Sequence, residues 1–361
     1  MRDVAIISFA QTQQVRDAGA QNDIELVMDV TSRAMKAADM TIDDIDFICS
    51  GSCDYLGGAA FAFVNAVDAL GAVPPKVESH VEMDAAWALY EAWLKIQSGS
   101  AETALIYGFG KSSHSQMRFI PTLQLDPYYY TPLYADSVSL AALQARLLLD
   151  SGKYTEEDFA KVVVNSRTNA KSNPLAQLSG DVTVEDVLAD EMLVEPLRKS
   201  DCCPITDGAS SLVMVTKEVA DKLIAEGKIQ GAAYITGLDH RIDAHGLGVR
   251  DLTTAESARI AAEKAGVADG PVEFAEIYAP FSHQSLILKE ALGLGDDVVM
   301  DPSGGTLAGH AFMTHGLDCI GNAAQRIING DAKRGVAHST SGPCLQQNLV
   351  AVLSSESVEA K

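Results

Sequence analysis

A chain of 361 residues with 49 acidic and 27 basic side chains carries a formal charge of −22 at pH 7. Such a surface repels phosphate backbones and sets nucleic acid aside as a partner. Hydrophobic residues make up 47%, enough core for one large domain or two ordinary ones, and no apolar run is long enough to span a bilayer. The N-terminus reads as a strand rather than a leader. The six cysteines, with no zinc-finger spacing, then read as reduced thiols of a cytoplasmic protein without a structural metal.

In chain order, Asp3 to Phe9 is a β-rich apolar run, and Asn22 caps a helix to about Ala38. A strand over Ile45–Cys49, a small-residue helix over Gly58–Leu70 and a short strand over Lys76–Val81 follow. Ser79 to Glu82 fits a capping box ahead of a strong helix, Met83–Gln97, and Ala104–Phe109 is a buried strand. This alternation predicts a mostly parallel α/β sheet.

From Lys111 to about Ser200 the alternation stops. Aromatics and prolines crowd Pro121–Tyr134, then helical stretches run over Asp136–Ser151 and Glu156–Asn169. The segment reads as a largely helical insertion of the kind that walls a pocket, and Tyr128, Tyr129, Tyr130 and Tyr134 are candidates to line it. Alternation resumes at Cys203, with strands over Ile205–Thr216, Ala232–Leu238 and Val272–Tyr278. Helices over Thr254–Ala265 and Ser282–Leu292 lie among them, a helix runs to Ile328, and strands near Gly335–His338 and Asn348–Leu353 precede a frayed tail.

Two features stand out. In Asp301–Gly316, Gly304-Gly305 and Gly309 deliver His310 to what reads as a helix start at Ala311, a way to aim a proton carrier or oxyanion donor at a ligand. The chain also repeats itself. Gly99-Ser100-Ala101 matches Gly330-Asp331-Ala332, and Leu105-Ile106-Tyr107 matches Val336-Ala337-His338, at a constant offset of 231 residues. A duplication would bring two equivalent helix starts, each partly positive, to a shared centre.

These residues carry a resemblance. Gly304-Gly305-Thr306-Leu307-Ala308-Gly309-His310 resembles the glycine-histidine loop of the thiolase superfamily, and Asp201–Ala209 resembles the segment entering its second half. Glu276-Ile277-Tyr278-Ala279-Pro280-Phe281 sits where thiolases carry an Asn-Glu-Ala-Phe motif. More closely, the chain is similar to the bacterial lipid-transfer-protein branch, related to the sterol-carrier-protein-type thiolases. Several of those cleave steroid side chains as acyl-CoA retro-aldolases. The resemblance implies a five-layered αβαβα fold of two repeated halves, here 1–200 and 201–361, with a helical loop domain at about 111–200. It implies dimers of identical or different thiolase-like chains. It also implies an acyl-CoA substrate, with coenzyme A as part of the substrate and no separate cofactor. The glycines Gly304, Gly305 and Gly309 would lie against the coenzyme A part, and His310 at the oxyanion hole. Arg118, Arg146, Arg167 and Lys171 are candidates for its phosphates.

The sequence departs from a thiolase at the nucleophile. The helix after the third strand begins Ser79-His80-Val81-Glu82-Met83-Asp84-Ala85-Ala86, with no cysteine, and the aligned position is Glu82 or Met83. The second thiolase cysteine aligns with His338 or its neighbour, and Tyr278 replaces the asparagine. Tyr278, His310 and His338 suit proton transfer beside a thioester better than acyl transfer. Retro-aldol cleavage of a β-hydroxyacyl-CoA needs no covalent nucleophile and is the leading expectation. Aldolases of this branch act with a small OB-fold partner of the DUF35 type, so such a partner is expected. The alternatives are a non-catalytic thiolase-fold subunit or acyl-CoA carrier paired with an active chain, and an acyltransferase with relocated chemistry, for which Cys344 is a candidate nucleophile.

Overall fold

The computed structural model describes residues 2–58, 60–71 and 73–358. Ala59 of the expected Gly58–Leu70 helix and the last three residues of the tail lie outside them. The main sheet takes ten strands: β1 (Val4–Gln11), β2 (Phe47–Gly51), β3 (Val77–Val81), β4 (Thr103–Gly110) and β5 (Gly208–Thr216), then β6 (Ala233–Ile242), β7 (Phe274–Ile277), β8 (Val299–Met300), β9 (Arg334–Ser341) and β10 (Gln347–Ser354). The longer helices are α1 (Asp23–Ala37), α2 (Ala62–Ala69), α3 (Ala85–Gln97), α4 (Ser137–Asp150), α5 (Glu156–Asn169), α6 (Lys217–Ala225), α7 (Glu256–Lys264), α8 (Ser282–Ala291) and α9 (His315–Ile328).

Strand order is β8-β7-β9-β10-β6-β1-β5-β4-β2-β3, so each strand of the first five has its counterpart five later, mirrored about the β1–β6 pair. The ends of β4 and β9 differ by the same 231 residues as the repeat. The sheet is mixed rather than mostly parallel. Only β2 with β3 and β4, and β7 with β8 and β9, run parallel, while β5 and β10 return antiparallel beside β1 and β6. β5 lies between β1 and β4, so the first half of the sheet extends past the 200/201 division expected from sequence.

Alternation along the strands sorts side chains into layers. Ile6, Ile106, Met214, Ala337 and Leu349 turn inward onto one core shared with Leu89 and Ile96 of α3 and Ile320 and Ile327 of α9. Their neighbours Ile7, Leu105 and Val213 pack outward under α1 and α6, and Val336, Val350 and Val352 under α7 and α8. The layers therefore run helix, sheet, α3 with α9, sheet, helix. This is the αβαβα stack that the resemblance implied, and it places the starts of α3 and α9 against each other at the centre.

Two local expectations are corrected. Ser79–Glu82 forms no capping box: β3 runs through Val81, Glu82 turns out to accept the Asp54 N–H (2.8 Å), and the helix begins three residues later with Asp84 as its cap. Nor does a helix begin at Ala311. His310-Ala311 pairs in parallel with Ile205-Thr206, Met313 takes a positive φ of 75°, and α9 starts only at His315. Among the described residues no helix is long and apolar enough to cross a membrane.

Candidate active site

The glycine loop is built to a fixed shape. Gly304 (φ 100°) and Gly305 (φ 61°) take conformations that side chains rarely adopt. A Cβ on Gly304 would strike Ala170, one on Gly305 would strike Asp301, and one on Gly309 would strike Gln14. The insertion clasps the loop from outside: Ser166 Oγ donates to the Gly304 carbonyl (2.5 Å), Asn173 Nδ2 to that of Ser303 (3.0 Å), and the Arg167 guanidinium to that of Leu307. From below, Glu276 accepts the Ser303 N–H (2.9 Å) and hydroxyl (2.7 Å), and Asp301 accepts the Ile277 N–H (2.8 Å). Burial raises both carboxyls above the usual range, and the Asp301 charge adds to the rise at Glu276.

The loop presents His310 to a cavity of about 310 Å³. Its walls are mainly apolar, including Met117, Leu125, Val138, Phe281, Phe312 and Leu345, and its polar lining groups include Asp84, Tyr278 and His310. The Tyr278 hydroxyl is hydrogen-bonded to His310 Nε2, and His310 Nδ1 lies 3.3 Å from Cys203 Sγ. Burial pushes the His310 imidazole well down and the Tyr278 phenol well up, so the pair rests as neutral imidazole and neutral phenol. Among the charges acting on Tyr278, that of Asp84 is the largest.

Asp84 is the residue that sequence reasoning passed over. Its carboxylate accepts the N–H of Ala86 (2.9 Å) at the start of α3 and that of Gly316 (3.0 Å) at the start of α9. Burial outweighs those hydrogen bonds and raises its carboxyl to about 6. Gly316 is required for the arrangement, since a Cβ there would overlap both Asp84 and the buried Ser339 hydroxyl. The signal was present in the sequence: Asp84 precedes an alanine-rich apolar helix and is a good N-cap in its own right.

Of the expected site residues, the structure brings Tyr278 and His310 together and leaves His338 out. On β9, Ala337 and Ser339 face α3 and α9, so His338 faces the outer layer. There its Nε2 bonds Asn348 Oδ1 (2.9 Å), and burial lowers it to about 4. Gly304, Gly305 and Gly309 do not line the cavity; they shape the loop that does. Tyr128, Tyr129 and Tyr134 are exposed, and neither they nor Tyr130 reaches the cavity. Of the four expected phosphate cations only Arg118 lines it, paired with Asp136 (2.5 Å). Arg167 is spent on Leu307, Lys171 pairs with Asp181 (2.6 Å), and Arg146 pairs with Glu195 (3.1 Å). Cys202, Cys203 and Cys344 do line the cavity; burial pushes Cys202 to about 12 and Cys344 to about 11, and Cys203 also upward.

No family model matches the chain. The acetyl-CoA acetyltransferase of Methanocaldococcus jannaschii is 28% identical over 351 residues, spanning 89% of this chain and 88% of the relative. Human sterol carrier protein 2 is 25% identical over 389 residues, 94% of this chain and 70% of its own length. Among solved structures, the Ltp2-ChsH2(DUF35) aldolase superposes with a TM-score of 0.80 at 20% identity, covering 98% of both chains. Human mitochondrial 3-ketoacyl-CoA thiolase does so with 0.76 at 14% identity, covering 98% of this chain and 99% of its own. The match runs end to end, over the mirrored halves and the helix starts between them, and the chain is similar over its length to members of the thiolase superfamily.

Proposed function

We propose that this protein cleaves a β-hydroxyacyl-CoA between Cα and Cβ by retro-aldol chemistry, without a covalent cysteine intermediate. The observation that carries the reading is the Tyr278–His310 pair in the lining of an apolar cavity, beside a helix start that offers a carboxylate in place of a thiol. Tyr278 takes the β-hydroxyl proton as it passes its own to His310 Nε2, which burial keeps unprotonated. The Cα–Cβ bond breaks, Cβ leaves as the carbonyl of a ketone or aldehyde, and the bonding pair moves into the thioester enolate. His310 acts on substrate through Tyr278, since its two ring nitrogens face Tyr278 and Cys203. The apolar walls suit a bulky hydrocarbon acyl group such as a steroid side chain, and Arg118 is the cation placed to meet coenzyme A.

The likeness to an aldolase solved with a DUF35 protein supports a small OB-fold partner and pairing with a second thiolase-like chain as parts of the same proposal. The test is to supply β-hydroxyacyl-CoA substrates with and without such a partner. Release of a carbonyl compound and a shortened acyl-CoA is expected. Binding without any turnover would favour the non-catalytic carrier and sink the aldolase.

A second reading, acyl transfer, has one observation in its favour, the contact between Cys203 and His310. Against it, the Cys203 thiol sits at no helix start and is held protonated by burial. Acylation of Cys203, seen as a mass gain of the intact protein, would establish acyl transfer; an unchanged mass during turnover is expected.

A further inference from the structure

We propose that Asp84 is a catalytic residue, the group that carries the proton to and from the α-carbon of the thioester. The proposal rests on the retro-aldol reading for its place in the cycle and on the geometry of the cavity for its chemistry. Tyr278 and His310 serve the β-oxygen, and the enolate left on Cα needs a proton donor of its own. Asp84 is the carboxyl group that lines the cavity beside Tyr278.

A capping role alone does not account for Asp84. A serine or threonine would accept the Ala86 N–H equally well and would not bury a carboxylate. The carboxylate also reaches across to Gly316, so two helix starts hold its two oxygens and fix its orientation. The Leu317 N–H also bonds it, and three N–H groups on two carboxylate oxygens leave a lone pair for a proton. The buried Ser339 hydroxyl on β9 crowds the same face of Gly316 as Asp84 and has no hydrogen-bond partner among the described residues, so the polar pocket around the carboxyl is not closed by the protein's own groups.

The titratable groups around it come from three elements. Tyr278 follows β7, His310 comes from the glycine loop, and His315, Asp318 and Cys319 come from α9. Burial lowers His310 and His315 and raises Tyr278, Asp318 and Cys319, so at pH 6 each rests neutral. The Asp84 carboxyl, raised to about 6, is the group of this set that exchanges its proton there.

In the cleavage direction, protonated Asp84 gives its proton to Cα as the enolate pair returns from oxygen to carbon. The thioester carbonyl re-forms and Asp84 is left as the carboxylate. His310 then releases the proton it received, Asp84 takes one from solvent, and no proton is gained or lost over the cycle. In reverse, the carboxylate removes the α-proton.

The test uses propanoyl-CoA in D₂O, with exchange at the α-carbon read by mass spectrometry. This reaction breaks no carbon-carbon bond and needs no β-hydroxyl. The full-length protein is expected to exchange the α-hydrogens. Exchange should rise through a limb near pH 6, and Asp84→Asn should slow it at least about 100-fold. His338→Asn, a change outside the cavity, should exchange within about threefold of wild type. Exchange at the wild-type rate in Asp84→Asn, or no exchange by the wild type, would overturn the proposal. The pH profile needs no variant: a flat profile between pH 5 and pH 8 overturns it even where Asp84→Asn fails to fold. Exchange that depends on Asp84 without cleavage of any β-hydroxyacyl-CoA would sink the aldolase and leave Asp84 standing.

Discussion

The helices α3 and α9 are copies that have diverged at one end. With the offset of 231, Leu89 matches Ile320, Ala92 matches Ala323 and Ile96 matches Ile327, all in the shared central core. Their starts do not match. Asp84 faces His315, Trp87 faces Asp318, and the Gly51 position at the end of β2 corresponds to Tyr278 after β7. The distal turns had to keep filling one core, so their volumes were held. The starts meet at the cavity, and there the two copies carry complementary groups: a carboxylate from the first half, a phenol and an imidazole from the second. Neither half holds the set by itself.

The largest effect is expected where the halves differ most. Tyr278→Phe keeps the ring and removes the hydroxyl, and kcat on a β-hydroxyacyl-CoA should fall about 10²- to 10⁴-fold, as for loss of a general acid–base group. A loss below tenfold would take Tyr278 out of the reaction.

A smaller effect concerns Asp318, an acid buried on α9 where α3 carries Trp87. Burial raises its carboxyl to about 8, so the native state holds a proton that the unfolded chain has already lost. Stability from this group therefore falls as pH rises above the ordinary carboxylate range and levels off past about 8. Below pH 6.5 the buried histidines act in the opposite direction, because the unfolded chain would protonate them. Between pH 6.5 and 8 the Asp318 share of the loss is about 2 kcal/mol, and the buried Glu276 and Asp301 carboxyls act in the same direction. Urea unfolding across that window should show the combined fall, and Asp318→Asn should make it shallower by about 2 kcal/mol. A rise in stability there would contradict the assignment.

Gly316→Ala tests the contact between the halves directly. Its methyl group would push on Ser339 and Asp84, and overpacking should cost about 1–3 kcal/mol in chemical denaturation. Ala85, its counterpart on α3, already carries that methyl group. The smallest effect on rate should come from His338→Asn. Its counterpart is Tyr107, a core residue of the outer layer, so stability should drop while kcat stays within about threefold. A 100-fold loss in kcat would return His338 to the site.

Sequence and structure agree where the signal is local and periodic. Asn22 caps the helix it is expected to cap, the helix expected over Asp136–Ser151 spans Ser137–Asp150, and Glu156–Asn169 matches to the residue. Disagreement begins where facing decides. His338 was assigned to the site by its place in line, yet a strand turns successive side chains to opposite faces, and Ser339 is the one that looks inward. Arg167 reads as a free cation for phosphate and is instead half-buried, its guanidinium donating to the Leu307 carbonyl.

The sequence by itself determined the alternation of strands and helices, the repeat and its offset, and the glycine turn that carries His310, where apolar period and turn chemistry act directly. The αβαβα stack, the significance of the missing cysteine ahead of α3 and the Tyr278 candidate came with the resemblance to thiolases. Only the tertiary structure decided that Asp84, rather than Glu82 or Met83, faces the cavity. It alone joined Tyr278 to His310 across 32 residues and Asp84 to Gly316 across 232. Those contacts depend on where two helix starts come to rest once both halves have packed on one core, and no window of sequence contains that distance.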